Sequence, residues 1–160
     1  MQLVGENYQL TGEIDPLYLV NKYGAPLYVY DTSIIASQYK RLSTAFDVPS
    51  LRINFACKAL TNLAILKFMN SLGAGLDTVS IEEVRLGIAA GFDPHNIIFT
   101  PNCVSVEEIE LAIEAGVRIN IDNISTLEQI GTRHPGLPVC IRVNPHIMAG
   151  GNSKISTGHI

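Results

Sequence analysis

The feature that most limits the possible folds is a rhythm that begins near Asp31 and runs through the rest of the chain. Short runs with the two-residue period of strands alternate with segments of helical period. Helix TSIIASQYKRLSTAF is broken at Pro49 before strand INFACK. Helix TNLAILKFMNSLG precedes a short strand in GAGLDTV, and SIEEVRLGIAAG precedes NIIFTPN. SVEEIELAIEAG then leads to RINIDN, and STLEQIGTRH to LPVCIRVNP. Strands are thus expected near residues 52–57, 74–77, 96–99, 118–121 and 138–143. Strict alternation implies parallel strands joined by right-handed crossovers. Residues 1–30 lack the rhythm: APLYVYD reads as a β-rich run opened by Pro26, and the segment before it shows no clear helical period.

Start and stop signals recur along the repeat. Ser80 with Glu83, Ser105 with Glu108 and Ser125 with Glu128 fit the S-x-x-E capping box, in which serine accepts the third helical N–H and glutamate returns a bond. Gly91, Gly116 and Gly131 stand where these helices should stop. Ile81, Val84 and Ile88, and Ile109 with Ala112 and Ile113, have the spacing of core-facing stripes.

Doubly wound sheets and (β/α) barrels both satisfy this order, and strand parity favours the barrel. One face of the first and last strands is apolar: Ile53, Phe55 and Cys57, then Val139, Ile141 and Val143. The other carries Asn54, Ala56 and Lys58, then Cys140, Arg142 and Asn144. An apolar face against helices and a mixed face inside a barrel accounts for this pattern. A doubly wound sheet would be apolar on both faces.

The totals exclude several functions. The chain of 160 residues is 47% hydrophobic and 16% charged, which suits a folded domain or a piece of a larger one. A net charge of −4 offers no basic face to nucleic acid. No apolar run approaches the roughly 18 residues of a membrane span. The opening MQLVGENYQL has neither the basic nor the long apolar region of a secretory signal. Cys57, Cys103 and Cys140 are far apart and odd in number, which excludes a C-x-x-C zinc pattern. They read as reduced thiols of a cytoplasmic protein, each a small buried hydrophobe.

Chemistry concentrates where strands end. The series is Lys58, Asp77, Thr100 with Asn102, Asp122 with Asn123, and Arg142 with Asn144. In a (β/α) barrel these ends converge on one mouth, where active sites form. Loop polarity alone accounts for Thr100, Asn102 and Asn123. It accounts less well for Lys58 and Arg142 on the inward parity, because two cations at one mouth ask for an anion such as phosphate or carboxylate. Asp77 fits as a partner of the lysine or of the bound group. His95 and His134 lack metal-ligand spacing and read as solvated surface residues. GAG at 73–75 precedes a strand rather than a helix, so it reads as a turn. MAGGNSKISTGH reads equally as a linker or as a lid over the mouth.

These motifs together resemble a known family. NFACKAL resembles the Y-A-x-K-A-N segment of the fold-type III pyridoxal-phosphate decarboxylases, and LGAGLDTVSIEEVRLGIAAGF resembles their G-x-G-x-D-x-x-S-x-x-E segment. IIFTPNCVSVEEIELAIEAGV resembles the next βα unit. IRVNPHIMAGGNSKISTG is similar to the diaminopimelate decarboxylases in particular, whose loop carries R-x-N-P, a glycine and K-I-S-T-G. The likeness runs from about Tyr23 to Ile160. Phe55 stands where the family usually has tyrosine, and Leu60 where it has asparagine; the lysine is retained.

The resemblance implies a (β/α)8 TIM barrel of the alanine-racemase-like type, with about five βα units in residues 31–160. Residues 1–30 would belong to a β domain. It implies that Lys58 forms the Schiff base with pyridoxal 5'-phosphate, with Ala56 small against the ring, Asp77 beside the lysine, and Arg142 helping to hold the cofactor. Asn144, Lys154, Ser156, Thr157 and His159 would belong to the substrate site and lid. The implied reaction removes one carboxylate from meso-2,6-diaminopimelate to give L-lysine, the last step of lysine biosynthesis, in a cytoplasmic homodimer.

A barrel closes with eight strands, so the chain is expected to be the N-terminal part of such an enzyme. Alone it should be adhesive and inactive, with the stacking histidine, glycine-rich phosphate loop, acid facing the pyridine nitrogen and substrate tyrosine lying beyond Ile160. Two alternatives stand beside this one: an ornithine- or arginine-type decarboxylase, and a non-catalytic barrel that binds or regulates. An inward lysine together with Arg142 argues against the second, and the GGNSKISTG loop against the first.

Overall fold

The computed structural model describes residues 2–5, 7–145 and 147. The chain divides into two compact units, Met1–Leu51 and Arg52–Ile160.

The first unit begins with an antiparallel pair, β1 (Gln2–Val4) and β2 (Asn7–Gln9). Helix α1 (Pro16–Tyr23) follows, then α2 (Thr32–Ser43). Each has an aspartate cap. Asp15 Oδ1 accepts the Leu17 N–H at 2.8 Å, and Asp31 Oδ1 accepts from Ser33 and Ile34. Pro16 costs α1 nothing in its first turn, where an N–H would have no intrahelical partner. The sequence reading is corrected twice here. A helix occupies the stretch before Pro26, started by the Asp-Pro pair that a period count overlooks. Residues 25–30 form no strand, because no described strand lies beside them to complete a ladder.

In the second unit β3 (Asn54–Ala56), β4 (Gly75–Thr78), β5 (Ile97–Phe99), β6 (Arg118–Ile121) and β7 (Val139–Ile141) form one sheet. They are parallel and lie in chain order. This is the expected architecture, at the expected positions. A doubly wound sheet would reverse its strand order at a switch point, and none occurs among these strands. Helices α3 (Leu63–Ser71), α4 (Ile81–Ala89), α5 (Val106–Glu114) and α6 (Ile124–Arg133) are the crossovers, each touching the next.

Parity decides which face they cover. Leu76, Ile97, Phe99, Ile119 and Ile121 are buried on the helix side, with Thr78 satisfied by a bond to the Ile98 carbonyl at 2.9 Å. Val84, Ile109, Ala112 and Ile130 meet them from the helices. Helix α4 approaches most closely at Gly87, where a Cβ would lie 2.5 Å from Leu76 Cδ2 and 3.1 Å from Ile97 Cδ1. Gly87 therefore takes the stripe position expected of Ile88, which is 41% exposed.

The caps hold in two cases and fail in one. Ser80 and Ser105 accept the N–H groups of Glu83 and Glu108 at 3.3 and 3.2 Å. The glutamates return the bond differently: Glu83 to Val79 N–H, and Glu108 across to Ile81 N–H at the start of α4. At α6 the cap is Asn123, which accepts the Thr126 N–H at 2.8 Å, and Ser125 lies inside the helix. Gly91 and Gly116 have the left-handed backbone expected of stops, whereas Gly131 continues α6 to Arg133. Among the cysteines only Cys57 is buried; Cys103 and Cys140 are exposed. The expected apolar burial also fails at the end of β7 and just past it, where Ile141 and Val143 are 57% and 77% exposed. No described helix follows β7 to cover them. None of the described helices is long and apolar enough to cross a membrane.

Candidate active site

The side of the sheet away from the helices carries the polar parity. In register, Asn54 sits beside Gly75, Ala56 beside Asp77, Asp77 beside Ile98, and Asn120 beside Cys140. Ladder bonds extend beyond the strands: Thr100 N–H reaches the Thr78 carbonyl and Arg142 N–H the Ile121 carbonyl, both at 2.8 Å. Thr100 and Arg142 are thereby fixed by the sheet although each follows its strand.

Two contacts join strand ends. Thr100 Oγ1 donates to Asp77 Oδ1 at 2.7 Å and accepts from Asn120 Nδ2 at 2.9 Å. Arg142 Nη1 donates to Asn102 Oδ1 at 3.2 Å, joining the ends of β7 and β5. Lys58 belongs to a short 3-10 turn, Cys57–Ala59, that closes β3 beside β4. It is exposed and has no hydrogen bond or ion pair among the described residues. Its neighbour Cys57 is fully buried, and desolvation, then the charge of Glu83, pushes the thiol up to about 11. A thiol in that state is not a nucleophile at neutral pH. Lys58 is left as the reactive group of the turn.

Asp77, Thr100, Asn120, Asn102 and Arg142 are therefore brought together as bonded sets at the carboxyl ends of the strands, with Ala56 directly beside Asp77. Asn144 is exposed just past Arg142. Lys154, Ser156, Thr157 and His159 lie outside the described residues, as does His146. Asn120 was missed by the sequence reading, although its place between Ile119 and Ile121 in RINID gives it inward parity. Thr100 and Asn102, for which loop polarity alone would account, bond to Asp77 and Arg142. Asn123 is a helix cap, as a loop residue can be. His95 is exposed as expected, whereas His134 is half-buried and paired with Glu110.

Residues 32–160 match the family model described as pyridoxal-dependent decarboxylase, pyridoxal binding domain. The chain belongs to the pyridoxal-dependent decarboxylases. Among curated members of the family, it is 39% identical over 156 residues to the diaminopimelate decarboxylase of Methanothermobacter thermautotrophicus, covering 96% of this chain and 36% of the relative. To the Escherichia coli diaminopimelate decarboxylase it is 34% identical over 160 residues, covering 98% and 37%. The crystal structure of diaminopimelate decarboxylase from Helicobacter pylori complexed with L-lysine superposes with a TM-score of 0.82 at 32% identity, over 89% of this chain and 38% of that one. The chain thus spans little more than a third of the length of these decarboxylases. The five βα units are part of the family's barrel.

The cofactor of the family is pyridoxal phosphate, and the residues present fit it. An aldehyde with an anionic tail asks for an unengaged primary amine, a guanidinium donor and a carboxylate that is already oriented. Lys58, Arg142 and Asp77 meet these needs at one end of one sheet. On the same face but at the amino ends of β3 and β4, Asn54 Oδ1 is a buried acceptor without a partner among the described residues. It lies over Gly75, where a Cβ would come within 2.0 Å of it. Small residues at 56 and 75 keep this part of the face low.

Proposed function

We propose that this chain supplies the cofactor-linking part of a diaminopimelate decarboxylase, with Lys58 as the residue that joins pyridoxal phosphate covalently. The observation that carries the proposal is an unengaged lysine closing β3, next to a strand whose Asp77 is already held by Thr100. When bound, the cofactor supplies a cationic conjugated ring that takes up the electron pair left as a carboxylate departs as carbon dioxide.

The protein's part is to hold and orient. The Lys58 amine, once deprotonated, supplies the nitrogen lone pair for covalent attachment. Asp77 presents negative charge beside it, and Ala56 next to Asp77 leaves room for a flat ring. The Arg142 guanidinium is planar, stays charged at all working pH values, and suits an anionic oxygen. Asn144, Lys154, Ser156, Thr157 and His159 are proposed to contact the substrate or close over it. Residues 1–30 are assigned to a β domain and 31–160 to the barrel; the working enzyme is a cytoplasmic homodimer acting on meso-2,6-diaminopimelate. That substrate is favoured because the similar curated proteins are named for it.

The test is Lys58→Arg in the full-length enzyme. Arginine keeps the charge but is no usable nucleophile. The visible band of the lysine-bound cofactor should vanish. Turnover should fall by about a thousandfold or more, as befits loss of a covalent nucleophile, while circular dichroism stays that of the parent. A band that survives in the variant, with borohydride fixing label on another lysine such as Lys154, would overturn the assignment. Faster carbon dioxide release from ornithine or arginine than from diaminopimelate would overturn the substrate.

A further inference from the structure

Three polar side chains touch across three strands on the open face of the sheet. Asn120 lies within β6, Thr100 is fixed to the end of β5 by its ladder bond, and Asp77 lies within β4. All three are half-buried. The direction of the chain follows from what each group can do. A threonine hydroxyl has one proton; given to Asp77 Oδ1, it leaves only lone pairs to face Asn120, whose Nδ2 must donate. Carboxamide, hydroxyl and carboxylate form a polarised series, and each bond strengthens the next. At 2.7 Å the terminal bond has the usual length of a well-formed O–H···O hydrogen bond. Among the described residues it is the one side-chain bond of Asp77, which has no ion pair. The other charged groups beyond these strands bond elsewhere, Asp122 to Asn123 and Arg142 to Asn102.

We propose that Thr100 and Asn120 are positioning residues: they anchor Oδ1 of an ionised Asp77 and reserve Oδ2 for the cationic nitrogen at the Lys58 linkage. This rests on the reading of Lys58 and Asp77 given above. Asp77 and Asn120 lie on strands and Thr100 is tied to the sheet by its ladder bond, so together they hold the carboxylate to one rotamer. A carboxylate so fixed keeps the nitrogen beside it protonated to higher pH than a mobile one would.

The experiment is a pH titration of the visible band in the full-length enzyme loaded with pyridoxal phosphate, with cofactor retention on dialysis as a second readout. Asp77→Asn sets the scale and should lower the midpoint by about one unit or more, the effect of removing an opposite charge at short range. Thr100→Val keeps shape and loses the hydroxyl; Asn120→Leu keeps size and loses the donor. Both should move the midpoint in the same direction by part of that amount and release cofactor faster. Thr100→Ser, which restores the hydroxyl, should titrate as the parent does. A purely packing role would lower the melting temperature without moving the midpoint. Should Thr100→Val fail to fold, Thr100→Ala replaces it. If Asp77→Asn shifts the midpoint while Thr100→Val and Asn120→Leu do not, the positioning role is wrong and the reading of Asp77 stands. If Asp77→Asn itself leaves the midpoint unmoved, that reading fails and the positioning role fails with it.

Discussion

The two units of this chain make helices by different means. In Met1–Leu51 neither α1 nor α2 buries a residue, and Leu17, Tyr18, Tyr23, Tyr28 and Phe46 are all more than half exposed. What shapes these helices is local: an aspartate at each start, a proline in the first turn of α1 and Gly24 with φ of 87° after it. In Arg52–Ile160 the helices are as short, nine or ten residues for α3 to α6, but each buries at least one residue, from Ile130 alone in α6 to Ile65, Leu66 and Met69 in α3. Helices this short are marginal in water by propensity alone, so packing must hold the second set. Local signals start a helix; a sheet to lie on makes it stable.

The largest test of that contrast compares two aromatic residues. Phe99 is fully buried between sheet and helices, whereas Tyr28 is 86% exposed. Phe99→Ala removes a ring from a close-packed layer and should cost about 3–5 kcal/mol. Tyr28→Ala should change the stability of the same chain by about 0.5 kcal/mol or less. Denaturant unfolding of the 160-residue chain measures both. A large loss from Tyr28→Ala would show that the first unit has a packed core of its own.

How far the sequence disclosed these features depends on whether the deciding contact is near or far along the chain. Strand positions, parallel order and barrel class follow from parity and rhythm, as with Leu76 and Ile97 against Asp77. Parity places Asp77 on the open face because it lies within β4, but it does not reach Lys58, which the structure puts in the 3-10 turn after β3; there only the motif spacing singles the lysine out. What was not legible depends on partners distant in sequence. Glu108 looks like half of its own capping box, yet reaches 27 residues back to Ile81. The stripe counted through Ile88 runs in fact through Gly87, a choice made by the side chains of Leu76 and Ile97 that lie against it. Asn120 is one polar letter in an apolar strand, and only the neighbouring Thr100 gives it a role. The strand expected at 25–30 failed for the same reason: β-propensity is local, but a ladder needs a second strand.

A smaller effect concerns Glu108, which ties one helix to its neighbour. Its Oε1 accepts the Ile81 N–H at 3.0 Å, and Ile81 is only 6% exposed. Glu108→Ala leaves that N–H without its acceptor, and water reaches it poorly. The cost should be about 1–2 kcal/mol, the range for a lost cap or an unsatisfied buried donor. Glu108→Gln keeps a side-chain oxygen and should recover most of it. Amide exchange should quicken first in the opening turn of α4, distant in sequence from the substitution. Exchange that quickens only within α5 would mean that the contact between helices contributes nothing.

The smallest expected effect belongs to the first unit and is a pH effect. Asp31 caps α2, and its carboxyl is lowered from the usual 3.8 to about 2. The Ser33 hydroxyl is the main cause, at 2.6 Å from Oδ1, followed by the Thr11 side chain, while backbone bonds from Ile34 and Ser33 add to them. Because the folded form holds its proton less tightly than the unfolded form, the cap stabilises the helix fully above about 3.8. That contribution declines as the pH falls through about 2. Carboxyl NMR across this window should place the Asp31 midpoint near its lower end. Ser33→Ala should move it up toward 3.8, and Thr11→Ala by less. The first turn of α2 should lose helical signal together with the Asp31 titration, since its amides depend on that carboxylate. If the midpoint sits at 3.8 in the parent chain, the aspartate does not act as this cap, and α2 must owe its start to contacts other than the local ones described.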